Sequence, residues 1–375
     1  MSQVTEAQVL DALRPIIDPD FGRSIVDLGF VRDVAIEGGR VAFKIVLTTP
    51  ACPVKAEFER AARERVAALP GVSDVRVEMG ADTRGRGGAA ARPAQAGDVL
   101  PGVRNTLAVA SGKGGVGKSN TAVNLALALA ATGARVGLLD ADVYGPSLPT
   151  LLGISERPGT EERGERKVIL PVERHGLKLM SMGFFITESS PVIWRGPMVH
   201  GRIRQFLTDV EWGELDYLVI DLPPGTGDAA LTLTQQAPLS GAVIVTTPND
   251  LSTVDARKAA KMFEKVSVPV LGVIENMAWF TPPDLPDRRY YLFGRGGGER
   301  MAQELGIDFL GHVPIDPRVA EGGDAGQPIV LFAPDSEAAA AFRALAGTVA
   351  RRLAVLSART PKLADANIQW VTSPS

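Results

Sequence analysis

The run Gly112-Lys113-Gly114-Gly115-Val116-Gly117-Lys118-Ser119 has the spacing G-x-x-x-x-G-K-[ST]. Residues of these types at these positions are suited to gripping a chain of phosphates. Glycines let the backbone wrap the anion and aim successive N–H groups at it, and a helix opening there adds positive potential. Lys118 would reach the β and γ phosphates, and the Ser119 hydroxyl would ligate Mg²⁺. The run follows a predicted strand and opens an Ala/Leu helix ending at Gly133, the context this loop requires.

Two acidic stretches complete the set. Asp140-Ala141-Asp142 ends one apolar run, and Asp221-Leu222-Pro223-Pro224-Gly225-Thr226-Gly227-Asp228 ends another. Ligands of an open parallel sheet sit outside the carboxyl ends of its strands, so both stretches are expected beside the phosphates. Asp221 fits a direct or water-mediated Mg²⁺ partner. Gly225 can bring a backbone N–H against the γ-phosphate, where a side chain would clash.

The elements that must hold these groups are predicted from apolar runs. Strands are expected near Thr106–Ala110, Arg135–Asp140, Leu177–Met182, Asp216–Asp221, Ala242–Thr247, Val270–Glu275 and Phe309–Val313. Runs such as Tyr217-Leu218-Val219-Ile220 do not alternate, so their sheet is covered on both faces. Strand–helix alternation implies right-handed crossovers, hence an α/β fold with a doubly wound, mostly parallel sheet.

Residues 1–79 read as a separate small α/β domain. Thr5 can cap a helix with Val9, Leu10, Leu13, Ile16 and Ile17 at helical spacing. Strands are expected at Ser24–Phe30 and Arg40–Thr48, joined by a tight turn at Gly38-Gly39. Pro53 fits the first turn of a helix reaching about Leu69, and Val72–Met79 closes with a strand. Residues 80–102 are rich in Gly, Ala, Arg and Pro and read as a flexible linker. The nucleotide domain would then span 103–356, with 357–375 as a tail.

Composition narrows the classes. The chain has 375 residues, 45% apolar and 22% charged, with a net charge of −3 from 40 Lys+Arg and 43 Asp+Glu. That balance argues against a basic nucleic-acid footprint. The longest apolar run, Leu125–Ala131, falls far short of the ~18 residues of a membrane-spanning helix. Glu6, Asp11, Asp18 and Asp20 leave no basic-then-apolar leader, so the expected location is cytoplasmic.

The extra lysine in Lys113-Gly-Gly-Val-Gly-Lys118-Ser119 resembles the deviant phosphate-loop ATPases. In that group the early lysine crosses a dimer interface to the partner's ATP, acting like an arginine finger. The resemblance also implies that Asp142 orients or deprotonates the attacking water, that Asp140 lies near Mg²⁺, and that Asn276 meets the adenine edge.

Further segments resemble the Mrp/ApbC family of iron–sulfur cluster carrier ATPases. They are Leu100-Pro-Gly-Val103, Asp140-Ala-Asp-Val-Tyr-Gly-Pro-Ser-Leu-Pro149, Trp194-Arg-Gly-Pro-Met198, the Asp221–Asp228 stretch, Glu275-Asn-Met277 and Phe293-Gly-Arg-Gly-Gly-Gly-Glu299. Asp27-Leu28-Gly29 and Leu47-Thr-Thr-Pro-Ala-Cys-Pro53 are similar to the small PaaD/SufT-like domain. Such a resemblance implies an ATP-dependent homodimer that serves apo iron–sulfur proteins or assembly factors.

One departure is large. That family usually carries Cys-x-x-Cys after the Asn-Met segment, giving a dimer four thiolates for a [4Fe–4S] cluster. Here Pro282 and Leu285 stand at those places, and Cys52 is the only cysteine in the chain. Two copies therefore offer two thiols where a Cys₄ cluster needs four. Cys52, between a strand and a helix, is the remaining candidate cluster ligand, with a small buried apolar role as its alternative. The histidines 175, 200 and 312 have no metal-ligand spacing. Beside the carrier reading stand a positioning ATPase of the septum-site and chromosome-partition type and a cluster-free, ATP-gated adaptor.

Overall fold

A computed structural model of the chain describes residues 4–48, 54–81, 99–143, 145–164, 166–185 and 196–359. Cys52, Trp194, Arg195 and most of the expected linker and tail lie outside the described residues.

The N-terminal part comprises α1 (Glu6–Leu13), the short pair β1 (Ile17–Asp18) and β2 (Arg23–Ser24), β3 (Val31–Glu37), β4 (Arg40–Leu47), α2 (Lys55–Ala67) and β5 (Asp74–Ala81). Thr5 and Gln8 form a reciprocal capping box that satisfies donors at the start of α1. On β4, Val41, Phe43, Ile45 and Leu47 alternate inward, as their spacing predicts. They pack with Val9, Leu13, Phe58, Ala62 and Val66 into a core of their own. The first strand lies later than expected. Ser24–Phe30 is mostly a turn, in which Leu28 N–H donates to Ser24 O and Gly29 takes φ +65°, and pairing with β4 begins at Val31.

The larger part begins with β6 (Val103–Ser111), α3 (Lys118–Ala130), β7 (Val136–Asp140) and α4 (Leu148–Leu151). A hairpin follows, β8 (Gly159–Arg163) and β9 (Arg166–Leu170), then β10 (Val172–Arg174), β11 (Leu177–Ser181), α5 (Gly196–Thr208), β12 (Leu215–Asp221) and α6 (Asp228–Gln236). The chain continues through β13 (Gly241–Thr246), α7 (Asp250–Lys265), β14 (Val270–Phe280), α8 (Gly297–Leu305) and β15 (Phe309–Ile315). Helices α9 (Pro317–Asp324), α10 (Ile329–Phe332) and α11 (Glu337–Arg359) close it.

One eight-stranded sheet has the order β10-β11-β7-β12-β6-β13-β14-β15, parallel except for β10 at its edge. All seven expected strands are in it; β8 and β10 are polar and largely exposed, and β9 offers only the three-residue apolar run Val168–Leu170 before Pro171.

Alternation assigns the two faces. Val243, Val245, Ile274 and Val313 join the core beneath α3 and α11, whereas Ile244 and Val273 pack under α7 and α8 with Ala256, Ala260 and Met301. The fold is thus a three-layer α/β sandwich with the carboxyl ends of β7, β12 and β6 side by side and that of β14 one strand beyond, past β13. Beside the sheet, Trp212 is 2% exposed and its Nε1–H donates to Phe206 O at 2.9 Å. Trp212→Ala is expected to cost about 3–5 kcal/mol, measured as a lowered urea midpoint, because it removes a buried indole and leaves a cavity in its place.

Candidate functional site

A side chain is excluded by backbone at Gly112 of the phosphate loop, and at Gly117 it would displace the Asn276 amide. A Cβ on Gly112 would lie 2.0 Å from the Asp255 backbone carbon of α7, and one on Gly117 would lie 2.2 Å from Asn276 Nδ2. Gly115 and Gly117 both take φ +80°, which L side chains rarely adopt. The loop is pinned by side chains as well: Ser111 Oγ–H donates to Lys113 O (2.9 Å), and Asn276 Nδ2–H donates to Val116 O (2.9 Å). Asn276, expected at a base edge, thus has its amide donor on the loop.

Register brings the acidic ends together. Asp221 of β12 lies opposite Asp140 of β7, and Asp140 opposite Ser181 of β11. Asp140 Oδ2 accepts from Ser181 Oγ–H (2.9 Å), Ser147 N–H (3.1 Å) and Leu148 N–H (3.2 Å), while Oδ1 accepts from Asp142 N–H (3.1 Å). Asp142, also buried, accepts from Gly145 N–H (3.1 Å). Lys118 is 6% exposed, and its Nζ donates to Asp221 Oδ1 at 2.5 Å and to Ser119 Oγ at 3.3 Å.

Burial first, then the Asp221 charge, pushes the Asp140 carboxyl up to about 7, against hydrogen bonds that pull it down. Burial raises Asp221 as well; the Lys118 ammonium opposes that rise. With both carboxylates ionised, one ammonium would leave negative charge in excess, and their oxygens with the Ser119 hydroxyl are the hard donors that Mg²⁺ prefers.

Two further groups complete the picture. Gly225 N–H donates to Ser111 O (3.0 Å), at the strand end where the loop begins. Lys113 is half-buried, and among the described residues its ammonium has no hydrogen-bond or ion-pair partner. The expected loop, Asp140, Asp142, Asp221, Gly225 and Asn276 therefore converge, while Cys52 lies outside the described residues. Sequence reasoning did not single out Ser111, Ser147 or Ser181; hydroxyls beside strand ends carry no spacing of their own.

At the place of the missing cysteines, β14 runs on to Phe280 and bridges to Tyr290. Leu285 N–H donates to Pro282 O (3.1 Å) in the turn between them, so this stretch is closed by backbone pairing. No group of three or more His, Cys, Asp or Glu that could hold a metal occurs among the described residues. No described helix is long and apolar enough to cross a membrane.

The family model described as NUBPL iron-transfer P-loop NTPase matches residues 102–350. The chain belongs to that family. A second model, described as iron-sulfur cluster assembly protein, matches residues 6–79. An iron-sulfur cluster carrier protein of Synechocystis sp. is 51% identical over 353 residues, covering 94% of this chain and 99% of that one. A carrier protein of Deinococcus radiodurans is 48% identical, covering 92% and 95%. An Fe-S cluster assembly factor from the chloroplast of Arabidopsis thaliana is 50% identical, covering 94% and 65%. Among solved structures, a nucleotide-binding protein of Archaeoglobus fulgidus in complex with ADP is 43% identical, with a TM-score of 0.53, covering 61% of this chain and 88% of that one.

A pH dependence follows from Asp140. Its carboxyl sits near 7 in the folded chain against 3.8 as its ordinary value, so the folded state binds this proton more tightly. The advantage is whole below about pH 4 and is lost as pH rises to about 7. Asp140→Asn stays neutral and keeps an acceptor for the surrounding N–H groups. Its melting temperature is expected to match wild type near the acid end and to gain on it steadily toward neutrality; a constant difference across that range would refute the assignment.

Proposed function

We propose that this chain is a Mg²⁺-dependent ATPase that works as a homodimer and delivers, or helps to deliver, iron–sulfur clusters to apo proteins or assembly factors. The names and near-full-length identity of its relatives support the cargo. The observation that carries the ATPase reading is the contrast between its two loop lysines, one buried on Asp221 and one without a partner among the described residues. The two separate cores support a small domain over 1–79 and a nucleotide domain over 103–356, joined by the linker 80–102 and followed by the tail 357–375.

The triphosphate binds along Gly112–Ser119, whose backbone N–H groups face it. Lys118 exchanges Asp221 for the β and γ phosphates. Mg²⁺ would be held by Ser119, Asp140 and Asp221, and supplies charge neutralisation to the phosphate oxygens when bound. Lys113 reaches the phosphates of the partner copy, where a cation stabilises charge on the transferring group. Asp142 orients water for in-line attack. Gly225 N–H leaves Ser111 O to meet the γ-phosphate, so hydrolysis releases that segment and with it the dimer. Asn276 serves the nucleotide through the loop it holds.

A Cys₄ cluster bridging two copies does not fit this chain, since two thiols are too few. The cluster is cargo, met through Cys52 or through ligands of the partner protein.

Lys118→Ala is expected to abolish nucleotide binding in calorimetric titration. Asp142→Ala is expected to keep ATP bound and slow turnover by about 10²-fold or more; turnover at the wild-type rate would remove Asp142 from its role. Anaerobic reconstitution with iron and sulfide analysis decides the cargo route. Iron retained by wild type and lost in Cys52→Ser supports carriage through the thiol, whereas iron held by neither sinks direct carriage and favours the cluster-free, ATP-gated adaptor.

A further inference from the structure

A cavity of about 480 Å³ lies against Glu275, Trp279 and His312, with Arg295, Glu299 and Arg300 across from them. It is not the nucleotide cleft. Glu275 follows Ile274 and lies opposite His312, whereas Asn276 lies opposite Val313. Asn276 turns to the phosphate loop, while Glu275 accepts from Gly298 N–H of α8 at 2.7 Å. The cavity therefore sits on the α8 side of the sheet, and the loop is served from the other.

Two exposed guanidinium groups, Arg295 and Arg300, line one wall beside the exposed Glu299. Two guanidinium groups are stacked on rings, Arg289 over Trp279 at 4.1 Å and Arg295 over Tyr291 at 4.8 Å. Stacking uses the face of a guanidinium and leaves its in-plane N–H groups to bind something else. Arg289 gives one of these to Glu337 Oε1 (3.1 Å), and Arg300 Nη1–H donates to Arg295 O (2.8 Å); the Arg295 guanidinium donates to nothing among the described residues. Trp279 Nε1–H is shut off from solvent, so the indole gives the cavity an apolar wall and no donor. Gln303 adds an amide. On the acceptor side, both Glu275 oxygens are engaged, one by Gly298 N–H and one facing His312 Nε2 at 3.5 Å, which leaves Glu299.

We propose that this cavity binds a small oxyanion, a carboxylate or a phosphate, through Arg295 and Arg300, with Trp279 as its wall and Glu299 as a charge that weakens the grip. Bidentate guanidinium geometry suits either oxyanion, and the two sources are separable by experiment.

The test titrates succinate and inorganic phosphate, in separate arms, into the full chain saturated with Mg·ADP so that the phosphate loop is filled. Binding is followed by tryptophan fluorescence, with Trp279→Phe identifying the reporting ring. Saturable binding of either anion, weakened about tenfold or more in Arg295→Gln/Arg300→Gln and tightened in Glu299→Gln, is the expected result. The anion that saturates identifies the source. Absence of saturation by both anions, or equal affinity in wild type and the arginine variant, overturns the site. Thermal melts of the arginine variant and the opposite sign in Glu299→Gln separate lost binding from lost folding.

Discussion

The arrangement depends on one electrostatic constraint: a parallel sheet delivers Asp140 and Asp221 to neighbouring strand ends, where both are buried. Like charges held that close in a dry pocket cannot both ionise without a counter-charge. The Lys118 ammonium supplies half of it by closing onto Asp221, and Asp140 answers the remainder by holding its proton toward neutral pH. A site in this condition is incomplete by itself. A bound cation supplies the missing positive charge in place of the Asp140 proton, and a polyphosphate reclaims the lysine and shares the cation, so metal and nucleotide are drawn to the same place together.

The second lysine extends that logic beyond one chain. The loop bends at Gly115 and Gly117, is pinned by Ser111 and Asn276, and meets α7 so closely at Gly112 that no side chain fits. Rigidity of this kind fixes where Lys113 stands. Its ammonium finds no hydrogen-bond or ion-pair partner among the described residues. A cation kept free at the edge of an anion-binding loop is placed to act on a neighbour.

Much of this was legible beforehand, because the strong signals are local. Eight residues at fixed spacing name the loop, and unbroken runs such as Tyr217-Leu218-Val219-Ile220 name buried parallel strands. What the sequence concealed depends on pairing across the sheet. The hydroxyl of Ser181 matters only because β11 lies beside β7, and the amide of Asn276 reaches Val116 across 160 positions. The early strand in the small domain was misplaced because Ile25, Leu28 and Phe30 look like a strand face, while Gly29 at positive φ turns the chain there. The cavity beside Trp279 was equally invisible, assembled from β14, β15, α8 and the segment that joins β14 to α8.

The claim that one loop serves two sites is tested most directly by mixing two inactive variants. Lys113→Ala keeps its own nucleotide cleft but gives nothing to a partner, whereas Lys118→Ala loses its cleft but still carries Lys113. Mixed dimers then contain one complete site, built from both chains. ATP turnover that reappears on mixing, in proportion to the mixed dimer formed, is the predicted result. A mixture as inactive as its parts, with mixed dimers demonstrably present, would contradict action of Lys113 across the interface.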